Sequence, residues 1–334
     1  MPFSFSRRNL FKTLAAVPCA LAGYFVYREL KPDDGVIRTI GAPELPTARL
    51  LEFPDKESTT FYALGDTGLE STHRQRVLRQ LQKQTQLVSP ELIFLLGDNF
   101  YDAGVNSTTD ENWKLHFEQP FGKNRFACPF YACLGNHDYF GNVAAQIEYS
   151  QIHKRWNMPS AYYSFTQSVG NDGVAEFFVL DTTPIEEGDY STGTQVRWLD
   201  QKLQQSKADW KIVIGHHPLF TGGEHGRSRR NHRHLVPVLD KHQIDLYICG
   251  HDHDLQLHDT GRGWLHLVSG AGSKLRSVSW VSTTLFAQAE SGFARVSLMQ
   301  KELGIEIFGP DGLLYSHRSV AKQRRNSAGR KATA

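Results

Sequence analysis

Five short apolar runs in this chain end in a glycine followed directly by Asp, Asn or His: Gly65-Asp66, Gly97-Asp98, Gly135-Asn136, Gly215-His216 and Gly250-His251. A run such as Leu92-Ile93-Phe94-Leu95-Leu96 has the length and composition of a fully buried strand. Open α/β sheets hold their ligands beyond the carboxyl ends of such strands. Asp98 has two carboxylate oxygens, enough to bridge two metal ions, and Tyr101, three residues on, supplies a phenolate suited to Fe(III). Alone, this stretch fits equally well a turn in which Asp98 bonds backbone amides and Tyr101 packs as an amphipathic lid. Repetition decides between them. A structural protein has no use for Asp, Asn or His at the same end of five strands, and leaving such groups buried without partners is costly. A dinuclear metal centre accounts for all five, since each ion needs several O and N donors.

The apolar runs alternate at first with amphipathic segments. Ser71 to Gln86 carries Val77, Leu78 and Leu81 at helical spacing, Val143 to Trp156 reads as helix, and Gln195 to Gln205 aligns Val196, Leu199 and Leu203. Later strands at Trp264 to Val268, Phe293 to Leu298 and Leu303 to Phe308 follow one another with little helix between. That order indicates an α/β chain, and 40% hydrophobic residues in 334 are enough for a sizeable core. A net charge of +2 gives no basis for binding nucleic acid. Cys19, Cys128, Cys133 and Cys249 make no disulfide framework. Cys128 and Cys133 fall on opposite sides of one expected strand and read as buried thiols.

The five motifs together resemble the purple acid phosphatases of the metallophosphoesterase superfamily, whose pattern is GDxG, GDxxY, GNH[DE], VxxH and GHxH. Here they stand as Gly65-Asp66-Thr67-Gly68, Gly97-Asp98-Asn99-Phe100-Tyr101, Gly135-Asn136-His137-Asp138, Val213-Ile214-Gly215-His216 and Gly250-His251-Asp252-His253. The stretches Lys154-Arg155-Trp156-Asn157, Glu224-His225-Gly226 and Ser269-Gly270-Ala271-Gly272 extend the likeness, which is greatest to the small tartrate-resistant enzymes of mammals. The resemblance implies a four-layer α/β/β/α sandwich of two mixed sheets flanked by helices, spanning 60–318. It implies an Fe(III) site of Asp66, Tyr101, His253 and bridging Asp98, and a divalent site (Fe, Zn or Mn) of Asn136, His216, His251 and the same Asp98. His137 and His225 match histidines that contact the substrate phosphate or transfer protons. His217 stands where the mammalian pattern has Tyr and is expected to line the pocket rather than ligate. Arg227, Arg229, Arg230 and Arg233 are expected in a loop near the site.

The activity so implied is hydrolysis of phosphate monoesters by a metal-bound hydroxide at a dinuclear Fe(III)–M(II) centre, in a monomer. Two rivals stand beside it: a metallophosphoesterase acting on diesters or nucleotide anhydrides, and a redox-active di-iron protein. The mammalian relatives carry a long loop over the active site. Only Thr183 to Thr192 separates Asp181-Thr182 from the next helical run here, so a short loop and an enzyme active as an uncut chain are expected.

The chain ends are of a different kind. Ser6-Arg7-Arg8-Asn9-Leu10-Phe11-Lys12 precedes an apolar stretch from Thr13 to Tyr27, which makes 1–27 a twin-arginine-type export signal or an uncleaved anchor. Either places the globular part in the periplasm or outside the cell, with contact to a membrane only through that anchor. Residues 28–59, with Pro32, Pro43, Pro46 and Pro54, read as a linker or lead-in. From Gly312 onward there is no acid, and 319–334 is expected to be a basic, disordered tail. Replacing Arg7 and Arg8 together with Lys should hold the protein inside the cell, because the twin-arginine route reads the paired guanidinium groups. Fractionation showing unchanged export of that double variant would rule the route out.

Overall fold

The computed structural model describes residues 39–52 and 58–320. The signal or anchor at 1–27, parts of the lead-in, Cys19 and the basic tail beyond Val320 lie outside the described residues. Where the lead-in is described, it is not free of the domain. Its strand β1 (Thr39–Ile40) pairs antiparallel with a later strand, and Leu51 donates its backbone N–H to Glu306 Oε1 at 2.9 Å.

The first sheet opens with β2 (Thr59–Leu64), β3 (Leu92–Leu95), β4 (Phe130–Ala132) and β5 (Trp156–Asn157), paired in parallel. The chain then builds a second sheet from β6 (Tyr163–Val169), β7 (Gly173–Val179), β8 (Trp210–Ile214), β9 (Leu246–Cys249), β10 (Leu255–Asp259) and β11 (Leu265–Ser269). Strand β12 (Trp280–Val281) is the partner of β1, and β13 (Thr284–Gln288) closes the second sheet in the order 13-10-11-9-8-7-6. Finally β14 (Phe293–Leu298), β15 (Glu302–Gly309) and β16 (Gly312–Val320) return to the first sheet, giving the order 16-15-14-2-3-4-5. Each sheet is mixed and seven-stranded: the first is antiparallel from β16 to β2 and parallel from β2 out to β5, and the second is parallel at its centre, from β7 through β8 and β9 to β11, and antiparallel towards both edges. The acid-free stretch begins inside the domain, as β16 (Gly312–Val320), and this strand takes in the first two residues of the expected 319–334 tail.

Helices cover the outer faces, completing the four layers. Helix α1 (Thr72–Leu87) starts where Ser71 Oγ accepts the Arg74 N–H at 3.1 Å and buries Val77, Leu78 and Leu81 as the spacing predicts. Helix α2 (Val143–Ile152) begins at the Asn142 cap and ends four residues before Trp156, short of the expected length. There the chain turns to pair Trp156 with Phe130, and the indole N–H donates to the Gln146 carbonyl at 2.9 Å. Tertiary pairing outweighs helical spacing at this end. The short loop expected from Thr183 to Thr192 is mostly helix: α3 (Thr182–Glu187) stops at Gly188, whose φ of 77° is open to glycine, and α4 (Thr192–Gln205) begins four residues after it. Helix α5 (Arg229–Lys241), capped by Ser228, carries Arg229, Arg230 and Arg233, so those arginines are helical rather than in a loop. Cys128 and Cys133 flank β4, and both, like Cys249, are free thiols; Cys133 and Cys249 are buried and Cys128 half-buried.

Between the sheets runs an aromatic zipper. Phe61 and Phe94 of the first sheet meet Phe177 of the second, with ring centroids 5.3 and 5.2 Å away, and Tyr131 stacks on Phe165 at 4.0 Å. Such pairs contribute about 0.5–1.5 kcal/mol each beyond the area they bury. In the first sheet, cross-strand partners Arg295 and Glu306 form a buried two-pronged ion pair at 2.6 and 2.7 Å. Removing one partner strands a buried charge. Arg295→Leu should therefore lower unfolding free energy by about 3–5 kcal/mol in urea melts, with Arg295→Leu/Glu306→Leu losing less than that. Equal loss in the single and double variants would contradict this.

Candidate metal centre

Every motif emerges at the carboxyl end of a parallel strand. Asp66 follows β2, Asp98 and Tyr101 follow β3 and Asn136 follows β4, all from the first sheet; His216 follows β8, and His251 and His253 follow β9, from the second. The two sheets thus bring their donors to one rim. The glycine before each donor has a steric reason. A Cβ on Gly135 would strike the backbone nitrogen and a carboxylate oxygen of Asp98, and one on Gly250 would strike Asp66 Oδ2. Asp66, Asp98 and His251 have φ of 58°, 51° and 70°, the left-handed region that costs an L-residue about 1–2 kcal/mol. Such strain is held where the surroundings fix it, commonly at functional sites.

The seven predicted donors form two clusters. In one, Tyr101 Oη lies 2.7 Å from Asp98 Oδ2, 3.0 Å from Asp66 Oδ1 and 3.2 Å from His253 Nε2, and His253 Nε2 is 3.4 Å from Asp66 Oδ1. In the other, Asn136 Oδ1, His216 Nε2 and His251 Nδ1 lie 3.0–3.2 Å apart, with Asp98 Oδ1 3.4 Å from His216 Nε2. Asp98 therefore sends one oxygen to each cluster. His216 donates Nδ1–H to the Leu96 carbonyl at 2.8 Å, which leaves Nε2 as a lone-pair donor facing other electron-rich atoms.

Charge shows what the clusters require. Burial and the nearby Asp98 push the Asp66 carboxyl up to about 8 against the partial relief of His216. Burial also acts to raise Asp98, but the charges of His216 and His137, with hydrogen bonds from the His137 backbone N–H and the Tyr101 hydroxyl, outweigh it and hold Asp98 below its ordinary range. Burial, with Asp66 and Asp98 beside it, drives Tyr101 well above the usual phenol range. Three acidic oxygens this close cannot all ionise alone. Cations satisfy them, so the donor set fits a pair of metal ions, and the groups Asp66–Asp98–His216 and His216–His217–His251 can hold a metal by geometry. Burial, then His225, lowers His253 to about 4, leaving it a neutral donor.

His137 and His225 stand at the mouth, with side chains 27% and 20% exposed. His137 bonds the Asp102 carbonyl through Nδ1 at 2.8 Å, and its backbone N–H donates to Asp98 Oδ1 at 2.9 Å. His217 is buried beside the second cluster, its ring 4.6 Å from that of His251. Thr182 Oγ1 accepts the N–H groups of His216 and His217 at 3.1 Å each, so its own proton goes to His217 Nδ1 at 2.8 Å. Lys274 Nζ sits 3.9 Å from the Tyr101 ring centroid.

Several supports carried no weight in the motif reading. Asp138, fully buried, accepts Gly135 N–H at 2.8 Å, Asn99 N–H at 3.1 Å and Gln146 Nε2 at 2.9 Å, tying the Asp98 and Asn136 loops together. Burial and Asp98 push it up to about 7. Its place inside Gly135-Asn136-His137-Asp138 was the available signal. Thr182 had none.

Two mixed sheets meeting over paired donor clusters define the metallophosphoesterase class. The Calcineurin-like phosphoesterase model matches residues 59–255. The chain is 32% identical over 302 residues to tartrate-resistant acid phosphatase type 5 of Oryctolagus cuniculus, covering 80% of this chain and 93% of that one. It is 31% identical over 293 residues to purple acid phosphatase 4 of Arabidopsis thaliana, covering 80% and 85%. Among solved structures it resembles GAP50, the anchor in the inner membrane complex of Plasmodium, with a TM-score of 0.74 and 25% identity over 81% of this chain and 91% of that one. The chain belongs to the calcineurin-like phosphoesterase family and, within it, to the purple and tartrate-resistant acid phosphatases. No helix among the described residues is long and apolar enough to cross a membrane.

Stripped of metal, the centre should make stability depend on pH. Folding raises Asp66 from 3.8 to about 8, so between those values the folded chain binds a proton that the unfolded chain does not. Below about 6.5 the lowered His253 gives an opposite slope that offsets Asp66, so stability of the chelated protein should fall as pH rises from about 6.5 to about 8. Melting temperatures across that range should drop for chelated wild type and drop less for Asp66→Asn. A flat profile for chelated wild type would contradict the carboxyl arrangement.

Proposed function

We propose that this chain is an acid phosphatase that hydrolyses phosphate monoesters at a dinuclear Fe(III)–M(II) centre and works outside the cytoplasm. The observation that carries the reading is the division of Asp98, with Oδ2 2.7 Å from the Tyr101 phenol oxygen and Oδ1 3.4 Å from His216 Nε2. Asp66, Tyr101, His253 and Asp98 would hold Fe(III). Asn136, His216, His251 and the same Asp98 would hold the divalent ion, which is Fe, Zn or Mn. A phenolic donor in only one cluster supports unlike ions, because that hard anionic oxygen favours the trivalent one. The relatives, acid phosphatases by name, support monoesters as the substrate class, and Arg7-Arg8 with the apolar stretch after it supports export.

When bound, the metal pair supplies Lewis acidity towards the phosphoryl oxygens and an activated water for in-line attack. The chain's own groups do the rest. Asp98 fixes the spacing of the two positions. Asn136, a neutral amide, keeps the second cluster less anionic than the first. His137 and His225 reach the mouth with Nδ1 held by acceptors, which leaves Nε2 to exchange a proton with the substrate.

Iron-loaded, oxidised protein should be pink or purple from phenolate-to-iron charge transfer, and Tyr101→Phe should bleach that band while keeping some metal. Asp98→Ala should lose both metals, whereas His216→Ala should lose mainly the divalent one. Turnover of a phosphate monoester should exceed that of a diester or a nucleotide anhydride. A colourless iron-loaded wild type, or preference for diesters, would overturn the proposal.

A further inference from the structure

One side of the mouth is built by the turn His137-Asp138-Tyr139-Phe140, and the three side chains after His137 go to three different places. Asp138 points inward and is fully buried. Tyr139 donates its hydroxyl proton to Asp181 Oδ2. Phe140 is left 45% exposed. A single exposed apolar residue is ordinary on a protein surface. The place of this one is not. Asp98 Oδ2 lies 4.0 Å from His137 Nε2, and the His137 ring lies 5.5 Å from that of Phe140. Exposure climbs along the same line, from 2% and 27% for the Asp98 and His137 side chains to 45% for Phe140. Phe140 therefore borders the way from the bridging carboxylate to solvent, which is where a leaving group must point.

The turn that carries this ring is held still. The His137 carbonyl accepts the Phe140 N–H at 3.1 Å and the Gly104 N–H at 3.0 Å, and the Asp138 carbonyl accepts the Gly141 N–H at 3.2 Å. The backbones beneath are in contact. A Cβ on Gly104 would strike the Asp138 carbonyl, and one on Gly141 would strike Gly104 and Val105. A surface so fixed loses little freedom when another group packs on it. The Phe140 and His137 rings stand at 88° to each other. Two rings at right angles form a corner in which a third can stack on one and meet the other edge-on, both favoured arrangements.

We propose that Phe140 is a specificity-determining residue that packs against the leaving group and favours phosphate monoesters carrying an aromatic ring close to the ester oxygen, a role that rests on the monoesterase reading above. The ring contact is the same before and during cleavage of the ester bond, so it acts on binding and not on the chemical step.

Benzylphosphonate and methylphosphonate share a head group that cannot be hydrolysed and differ by one phenyl ring. Both are measured as competitive inhibitors of the metal-loaded full chain. Wild type should bind benzylphosphonate the more tightly. Phe140→Ala should weaken benzylphosphonate about 2–10-fold relative to methylphosphonate, and Phe140→Tyr should keep the wild-type ratio. Turnover gives a second readout with benzyl phosphate and glycerol phosphate, both alkyl esters. Phe140→Ala should raise the KM of the benzyl ester relative to the glycerol ester by a similar factor, with the ratio of their kcat values as in wild type. A side chain that serves only to hold His137 would move both inhibitors and both esters together, so equal changes overturn the proposal. A wild type that binds the two phosphonates alike overturns it too, as does a wild-type ratio in Phe140→Ala. Should that variant fail to fold, Phe140→Gln carries the same expectation and the same refutation. All these results leave the monoesterase reading in place. A wild type that hydrolyses neither ester refutes that reading, and the proposal with it.

Discussion

Asp66, Asp98 and Tyr101 hold three acidic oxygens within 3.0 Å of a shared point, in a place from which water is almost excluded. Protons alone cannot settle that arrangement: burial pushes Asp66 and Tyr101 towards neutrality while neighbouring imidazoles keep Asp98 charged. Cations can, and much of the architecture serves to present these groups to them. Parallel strands from two sheets end at one rim, glycines remove the side chains that would block the approach, and three donors accept left-handed backbone angles to point inward.

Around the donors a second set of residues decides orientation. Asp138 joins two loops of the first sheet, Thr182 fixes both histidines after β8, and Asp252 with Thr221 fixes His225. Each uses every oxygen or hydroxyl it has in a determined direction. Partners so committed narrow the rotamers of the groups they hold, and tight placement of reacting groups is a large part of what an active site contributes.

Much of this was legible in the chain. Repeated glycine-plus-donor steps after apolar runs located the strand ends, and the spacing of Val77, Leu78 and Leu81 located α1. What stayed hidden depends on long-range pairing. Trp156 belongs to a helical pattern by spacing and to a strand by its pairing with Phe130. Arg229, Arg230 and Arg233 lie in a segment so polar that it masks the apolar stripe of Leu235, Val236 and Leu239. Thr182 and Thr221 look like any other turn residues until partners more than 30 positions away are known, and Asp252, although inside Gly250-His251-Asp252-His253, shows its role only once Thr221 and His225 are placed beside it.

The aromatic zipper of Phe61, Phe94 and Phe177 sits well below the rim, yet it sets the registration of one sheet on the other. Each cluster draws donors from both sheets, His253 in one case and His216 and His251 in the other. Sliding one sheet past its neighbour would therefore pull both donor clusters apart at once. The core acts as a ruler for the spacing of two donor clusters that it never touches, and the volume of a phenylalanine ring bears on how far apart those clusters stand.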